Sequence, residues 1–170
     1  ARFRGGLAER RPETTRLHTA THLLQAALRS VLGPHVEQRG SNITAERLRF
    51  DFAHGERMSD SQLAEVEVLV NAQIARDLPV AAQEMTVEAA RDSGAIGLFG
   101  ERYGERVNVY SIGDFSKEIC GGPHVAHTSE LGRFRIVKEG AASAGVRRIR
   151  AVLEDGDVSD LRPRPVATLE

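Results

Sequence analysis

Residues 14–32 read TTRLHTATHLLQAALRSVL, and the spacing within them decides the first element of the fold. Leu17, Leu24, Leu28 and Val31 recur at helical intervals, so they share one face of a helix. Thr14 or Thr15 can cap its start, and Gly33-Pro34 stops it. Outward from this helix, strand-like runs are expected at residues 35–38 and 48–52, the second alternating Leu48, Phe50 and Phe52. Ser59 with Gln62 carries the signature of a capping box. It opens a second helix with the stripe Leu63, Val66, Val70 and Ile74, which Pro79 ends. Residues 80–86 read as a strand, 87–93 as a short helix, and 107–112 as a buried strand; 134–138 and 146–153 are further strands. Helices alternating with an antiparallel set of strands predict an α+β fold, a two-layer sandwich of a mostly antiparallel sheet packed by helices. No repeat or low-complexity tract interrupts it. The expected organisation is an N-terminal extension at 1–13, one domain at 14–153, and a linker or disordered tail at 154–170, marked by Pro163 and Pro165.

Composition narrows the classes. With 170 residues, 41% apolar and 28% charged, the chain suits one soluble globular domain with a real core. A single cysteine excludes an internal disulfide framework, so a reducing cytoplasmic setting is expected. No stretch approaches the roughly 20 apolar residues of a membrane span, and residues 1–6 lack the apolar core of a signal peptide. The first residue is Ala1, which fits either processing or a domain cut from a longer protein. Nothing in the sequence sets the oligomeric state. Net charge is −1, but it is segregated. Residues 1–50 carry nine Lys/Arg against four Asp/Glu, and residues 119–153 carry six against two, while residues 51–118 carry six against thirteen. Two basic ends around an acidic middle make one positive face if the ends meet in space, and polyanions bind such faces through phosphate contacts.

The chemistry lies in four residues. His18 and His22 are four apart, so on a helix they project from one side, a turn apart, beside the apolar stripe. Far downstream, Cys120-Gly121-Gly122-Pro123-His124 offers a thiolate and an imidazole in a glycine-rich turn that can bring both to one ion. Neither pair completes a tetrahedron, but a thiolate with three imidazoles suits zinc in a cleft of the domain. A lone H-x-x-x-H is weak, and without the Glu of H-E-x-x-H it does not signal a zinc protease. Four protein ligands make a closed structural site, whereas a catalytic one needs a further position or a weak ligand. Asp114 and Glu118, near Cys120, are candidates to hold the histidines by hydrogen bonds.

Longer strings carry a resemblance. HTATHLLQAALRSVLGPHVEQRGSNI (18–43), LRFDFAH (48–54), GAIGLFGERYGERVNVYSIGDFSKEICGGPHV (94–125) and AGVRRIRAV (144–152) resemble the editing domain of alanyl-tRNA synthetases and their free-standing relatives. The likeness runs in order over residues 14 to 153. Threonyl-tRNA synthetases share the metal pattern in a related domain, but not the GVRRI or LFGERYG strings. The resemblance implies hydrolysis of serine or glycine wrongly attached to alanine tRNA. It implies Zn2+ at His18, His22, Cys120 and His124, and an amino-acid pocket lined by Thr21 and Gln38. A site that forms alanyl-tRNA cannot strongly reject serine for one added hydroxyl, and glycine is smaller than alanine, so correction needs a second site.

The mechanism so implied is zinc-assisted attack of water on the ester carbonyl, the metal either generating the nucleophile or orienting the substrate's amino group. No residue stands out as general base, which leaves a role open for the terminal-adenosine 2′-hydroxyl. Arg147, Arg148 and Arg150 are expected to meet tRNA phosphates. Two departures stand out. Pro123 occupies a position that is usually Thr in the family and removes a backbone N–H. A glycine-rich barrel with a GGQ string, common ahead of this domain, has no counterpart in residues 1–17, so the chain is expected to be a minimal editing core, excised or free-standing. The alternatives are a non-catalytic, zinc-stabilised tRNA-binding module and a threonyl-type domain acting on serine attached to threonine tRNA. No membrane partner is expected.

Overall fold

The computed structural model describes residues 12–98, 102–156, 158 and 167–168. The periodic run at the start folds as α1, Pro12–Leu32. Proline at a first helical position loses no intrahelical hydrogen bond, and Glu13 and Arg29 place charge against the helix dipole at the correct ends. Gly33, at φ +126°, ends the helix with its N–H on the Arg29 carbonyl at 3.0 Å. The buried arc of α1 is wider than its leucine stripe, since Ala20, Leu23 and Ala27 are as buried as Leu24 and Leu28.

Strand β1 is Gln38–Ile43 and β2 is Leu48–Ala53. Of the strand expected at residues 35–38, only Gln38 is in a strand, as the first residue of β1. Gly33-Pro34 leads into a turn in which the Val36 N–H bonds the Gly33 carbonyl at 3.3 Å and Arg29 donates to the Val36 carbonyl at 2.6 Å. Val36 is a single core anchor within that turn. Conversely, QRGSNI lacks apolar alternation and becomes a strand through its antiparallel ladder with β2, shifted in register between Gln38 and Gly40.

Helix α2, Asp60–Ala75, begins with the capping box of Ser59 and Gln62, and buries Leu63, Val66, Val70 and Ile74. Next come β3 (Val80–Thr86), α3 (Val87–Asp92), β4 (Arg106–Ile112) and β5 (Ser116–Ile119). A 3₁₀ turn at Thr128–Leu131 precedes β6 (Arg133–Ser143), β7 (Val146–Glu154) and β8 (Ala167–Thr168). The strands form two sheets where the sequence suggested one: β1-β2-β7-β6-β8, and β3-β4-β5. All named pairs are antiparallel except β6 with β8. The α+β class and helix-on-sheet layering hold. Most of residues 1–13 and 154–170 lie outside the described residues.

The main core lies between α1, α2 and one face of the five-stranded sheet, where Phe50, Phe52, Phe134, Ile136, Ile149 and Ala151 meet the helix leucines and valines. Fully burying one such phenylalanine contributes about 1.5–3 kcal/mol. Two polar clamps fix what lies around it. The Asn71 side chain accepts from the Phe134 N–H at 2.8 Å and donates to the Phe134 carbonyl at 2.9 Å, joining α2 to β6. The Thr128 hydroxyl accepts from the Leu78 N–H and donates to the Gln73 carbonyl, both at 2.8 Å. The 3₁₀ turn is thereby tied to the end of α2, and with it the end of the segment 120–127. Among the described residues, no helix is long and apolar enough to cross a membrane.

Candidate metal centre

His18 and His22 project from the first half of α1, while Cys120 and His124 lie in the turn that follows β5. The fold brings the four together: one ligand atom from each lies within 4.8 Å of all the others. Cys120 Sγ is 3.4 Å from Nε2 of His18 and 3.4 Å from Nε2 of His124. A tetrahedral ion with Zn–S of about 2.3 Å and Zn–N of about 2.0–2.1 Å separates its sulfur and nitrogen ligands by about 3.5 Å. These two sulfur–nitrogen spacings match those of a tetrahedral metal ion. The His18 and His124 rings stack at 4.3 Å, and His22 stands edge-on to both.

What aims the imidazoles is the grip on their other nitrogens. His18 Nδ1 donates to the Pro123 carbonyl at 2.9 Å. His22 Nδ1 lies 2.9 Å from Glu118 Oε2. His124 Nδ1 meets the Thr19 hydroxyl at 3.0 Å, and that oxygen also accepts from the Val125 N–H at 3.2 Å and donates to the Thr15 carbonyl at 3.3 Å. Nε2 of His18 and of His124 is thus turned toward Cys120, the arrangement by which metal-binding histidines are held in one tautomer, while His22 is held by its charge contact with Glu118. Pro123, which withholds an N–H, serves through its carbonyl.

The charges follow from the packing. Burial works against the His22 cation, but Glu118 and the Cys120 sulfur override it and push its pKa up to about 10. Burial also opposes the Cys120 thiolate, yet close contact with the His124, His18 and His22 rings, and the charge of His22, bring it down to about 3. Burial dominates at His124 and lowers it to about 4. The metal-free cluster is therefore a thiolate beside a His22 imidazolium and a neutral His124. Tyr110 packs edge-on against His124 at 4.4 Å. Gly122, at φ +67°, leaves room for it, because a Cβ there would collide with Tyr110 Oη.

Of the two acids near Cys120 in sequence, Glu118 is buried against His22, whereas Asp114 is exposed and pairs with Arg76 at 3.2 Å. Thr19 was not singled out by the sequence; its signal was an extra polar residue inside the HTATH string, adjacent to His18. A 440 Å³ cavity beside Ala26, Arg29, Ser116 and Glu118 is lined by none of the four ligand candidates.

Residues 107–150 match the sequence profile of the threonyl and alanyl tRNA synthetase second additional domain. Over 152 residues the chain is 63% identical to an alanine–tRNA ligase of Treponema pallidum and 62% identical to that of Treponema denticola, covering 89% of this chain and 25% of each relative. The alanine–tRNA ligase of Borreliella burgdorferi is 58% identical over 153 residues. The chain is similar, over most of its length, to a region of alanine–tRNA ligases, and within it carries the profile of the second additional domain. It spans about a quarter of the length of these relatives.

The remaining residues singled out by the sequence are placed as follows. Thr21 is buried one residue before His22, and its hydroxyl donates to the Leu17 carbonyl at 2.9 Å. Gln38 opens β1, half-buried, with its Nε2 on the Ser41 hydroxyl at 3.1 Å. Arg147 is paired with the buried Glu139 at 2.6 Å. Arg148 grips both oxygens of Asp51, at 2.8 and 3.0 Å. Arg150 has no carboxylate within ion-pair distance among the described residues.

Proposed function

We propose that this chain hydrolyses the ester bond of alanine tRNA mischarged with serine or glycine, using a zinc ion held by His18, His22, Cys120 and His124. The observation that carries the proposal is the convergence of a thiolate and three imidazoles within 4.8 Å of one another, with His18 and His124 held by hydrogen bonds and His22 beside the Glu118 carboxylate. The likeness to alanine–tRNA ligases supplies the class of substrate. The working unit is the domain at 14–153, between the segments 1–13 and 154–170, and its setting is the cytoplasm.

Bound there, zinc would supply Lewis-acid polarisation and a point of orientation for the substrate. The chain's own groups do the selecting. Thr21 spends its proton on the Leu17 carbonyl, which leaves its oxygen to act as an acceptor for the serine hydroxyl. Alanine brings no hydroxyl and leaves that acceptor unpaired, which disfavours it. Gln38 is the second polar contact of the amino-acid pocket. Arg150, unpaired by any acid among the described residues, is the best placed of the three arginines to meet a phosphate; Arg147 and Arg148 reach one only by sharing themselves with Glu139 and Asp51.

Deacylation of seryl- and alanyl-charged alanine tRNA by the zinc-loaded chain tests the proposal. Faster release of serine supports it. A second reading, a zinc-stabilised tRNA-binding module, is favoured by one observation: all four donors are protein groups, the closed set of a structural site. Hydrolysis of neither substrate would select that reading.

A further inference from the structure

The two basic stretches of sequence meet on the face of the five-stranded sheet turned away from α1 and α2. Alternation along β2 and β7 sends Leu48, Phe50, Ile149 and Ala151 into the core and sets Arg49, Asp51, Arg148 and Arg150 on the opposite face. Arg49 lies directly across from Arg150, and Arg150 directly across from Lys138 of β6. Three cations therefore stand in one row over three adjacent strands, spanning about 10 Å. Arg47, just before β2, extends the cluster: its guanidinium reaches the Asn42 carbonyl and Oδ1 at 3.1 and 2.8 Å. Burial, then the Arg150 and Arg49 charges, lower its pKa.

Little on this face neutralises the row. Asp51 is gripped by Arg148 and lies 3.7 Å from Arg49, and Glu154 holds Arg135 at 2.8 Å. Among the described residues, no carboxylate lies within ion-pair distance of Arg47, Lys138 or Arg150. Buried Nε atoms of Arg49 and Arg150 have no hydrogen-bond partner. Like charges set opposite one another on neighbouring strands oppose folding, and an anion covering the row relieves that repulsion.

We infer that this outer sheet face, along Arg49, Arg150 and Lys138 with Arg47 at one end, is a docking surface for the phosphodiester backbone of tRNA. It lies on the opposite side of the sheet from α1, which carries His18 and His22, so affinity and chemistry are housed on separate surfaces. Guanidinium forks suit phosphate oxygens, and a row of cations suits a repeating anion better than an isolated carboxylate. The inference rests on the tRNA reading above for the identity of the RNA.

The test is the salt dependence of alanine-tRNA binding by the full chain, measured by fluorescence anisotropy. Arg49→Gln with Arg150→Gln is compared with Arg150→Lys and with Arg91→Gln on the distant α3. Each lost phosphate contact lowers the slope of log K against log salt by roughly 0.7–0.9. The double variant should therefore lose about 1.4–1.8 of slope and raise KM for seryl-tRNA, with metal content unchanged, while Arg150→Lys keeps the slope and Arg91→Gln leaves it alone. A double variant with the wild-type slope, or an equal loss in Arg91→Gln, overturns the assignment. Unaltered RNA binding with weakened binding of polyglutamate overturns it in favour of an acidic protein surface. A slope that depends on these arginines in a chain that hydrolyses nothing would sink the deacylase proposal and leave this one standing. Hydrolysis with KM and slope indifferent to the double variant would do the reverse.

Discussion

Replacing Thr19 by Val should weaken metal binding although Thr19 is no ligand. The swap keeps the branched shape in a site with no exposed surface, so the packing of α1 is preserved. What is lost is one oxygen serving three groups: it receives the Val125 N–H at 3.2 Å, contacts His124 Nδ1 at 3.0 Å, and donates to the Thr15 carbonyl at 3.3 Å. The Thr15 carbonyl keeps its place in the helix. The Val125 N–H becomes a buried donor without a partner, costing about 1–3 kcal/mol. His124 is freed to rotate, and loss of such an outer hydrogen bond typically lowers metal affinity about 10- to 100-fold. Competition with a chromophoric chelator measures the affinity, and urea unfolding of the metal-free chain measures the stability. The expected result is a loss in both. Stability lost with affinity unchanged within about twofold would show that Thr19 holds only the 120–127 segment and does not aim His124. No loss in either would refute the assigned hydrogen bonds.

Four further outcomes follow from the same geometry. Cys120→Ala should reduce metal content from one ion per chain to near zero and lower the melting temperature, checked by elemental analysis and calorimetry. Gly122→Ala forces a Cβ into Tyr110 and a side chain at φ +67°, so it should destabilise by about 1–3 kcal/mol and weaken metal binding, measured by the same titrations. At pH 7–8 the metal-free His22 is a cation, with a pKa of about 10, and Cys120 is already a thiolate, with a pKa of about 3. The His22 contribution to stability is therefore full below its unfolded value of 6.5 and lost as pH rises through about 10. Zinc uptake should release about one proton from His22, none from Cys120, and fewer in Glu118→Gln; titration calorimetry in buffers of different ionisation enthalpy reads the number. Thr21→Val should cut seryl-tRNA hydrolysis about 5- to 150-fold while sparing alanyl-tRNA, and equal slowing of both would make Thr21 a packing residue.

The elements with strong periodicity were legible in the sequence. The leucine spacing of α1, the Ser59 capping box and the Leu48-Phe50-Phe52 alternation each correspond to what formed. β1 was not legible, because QRGSNI is a strand only by virtue of its neighbour, and Val36 mimicked a strand from within a turn. The helical spacing of His18 and His22 and the short Cys120–His124 turn predict half-sites, but their meeting depends on β5 and the Thr128 clamp, which are tertiary facts. Thr19 escaped because a threonine within a helix carries no mark of its partner 105 positions away. The charge segregation was visible as numbers, whereas the β2–β7 register that joins the basic ends came from the fold. That register also commits Arg148 to Asp51, a pairing no local pattern announces.

Single-turnover hydrolysis of seryl-charged alanine tRNA, followed as a function of zinc occupancy, tests the central claim most directly. The chain is stripped with chelator and zinc is restored in steps. The predicted result is a rate that rises in proportion to bound zinc, saturates at one ion per chain, and exceeds the rate for alanyl-charged tRNA at every step. A fully loaded chain that leaves the seryl ester intact, or a stripped chain that cleaves it at the full rate, would contradict the claim.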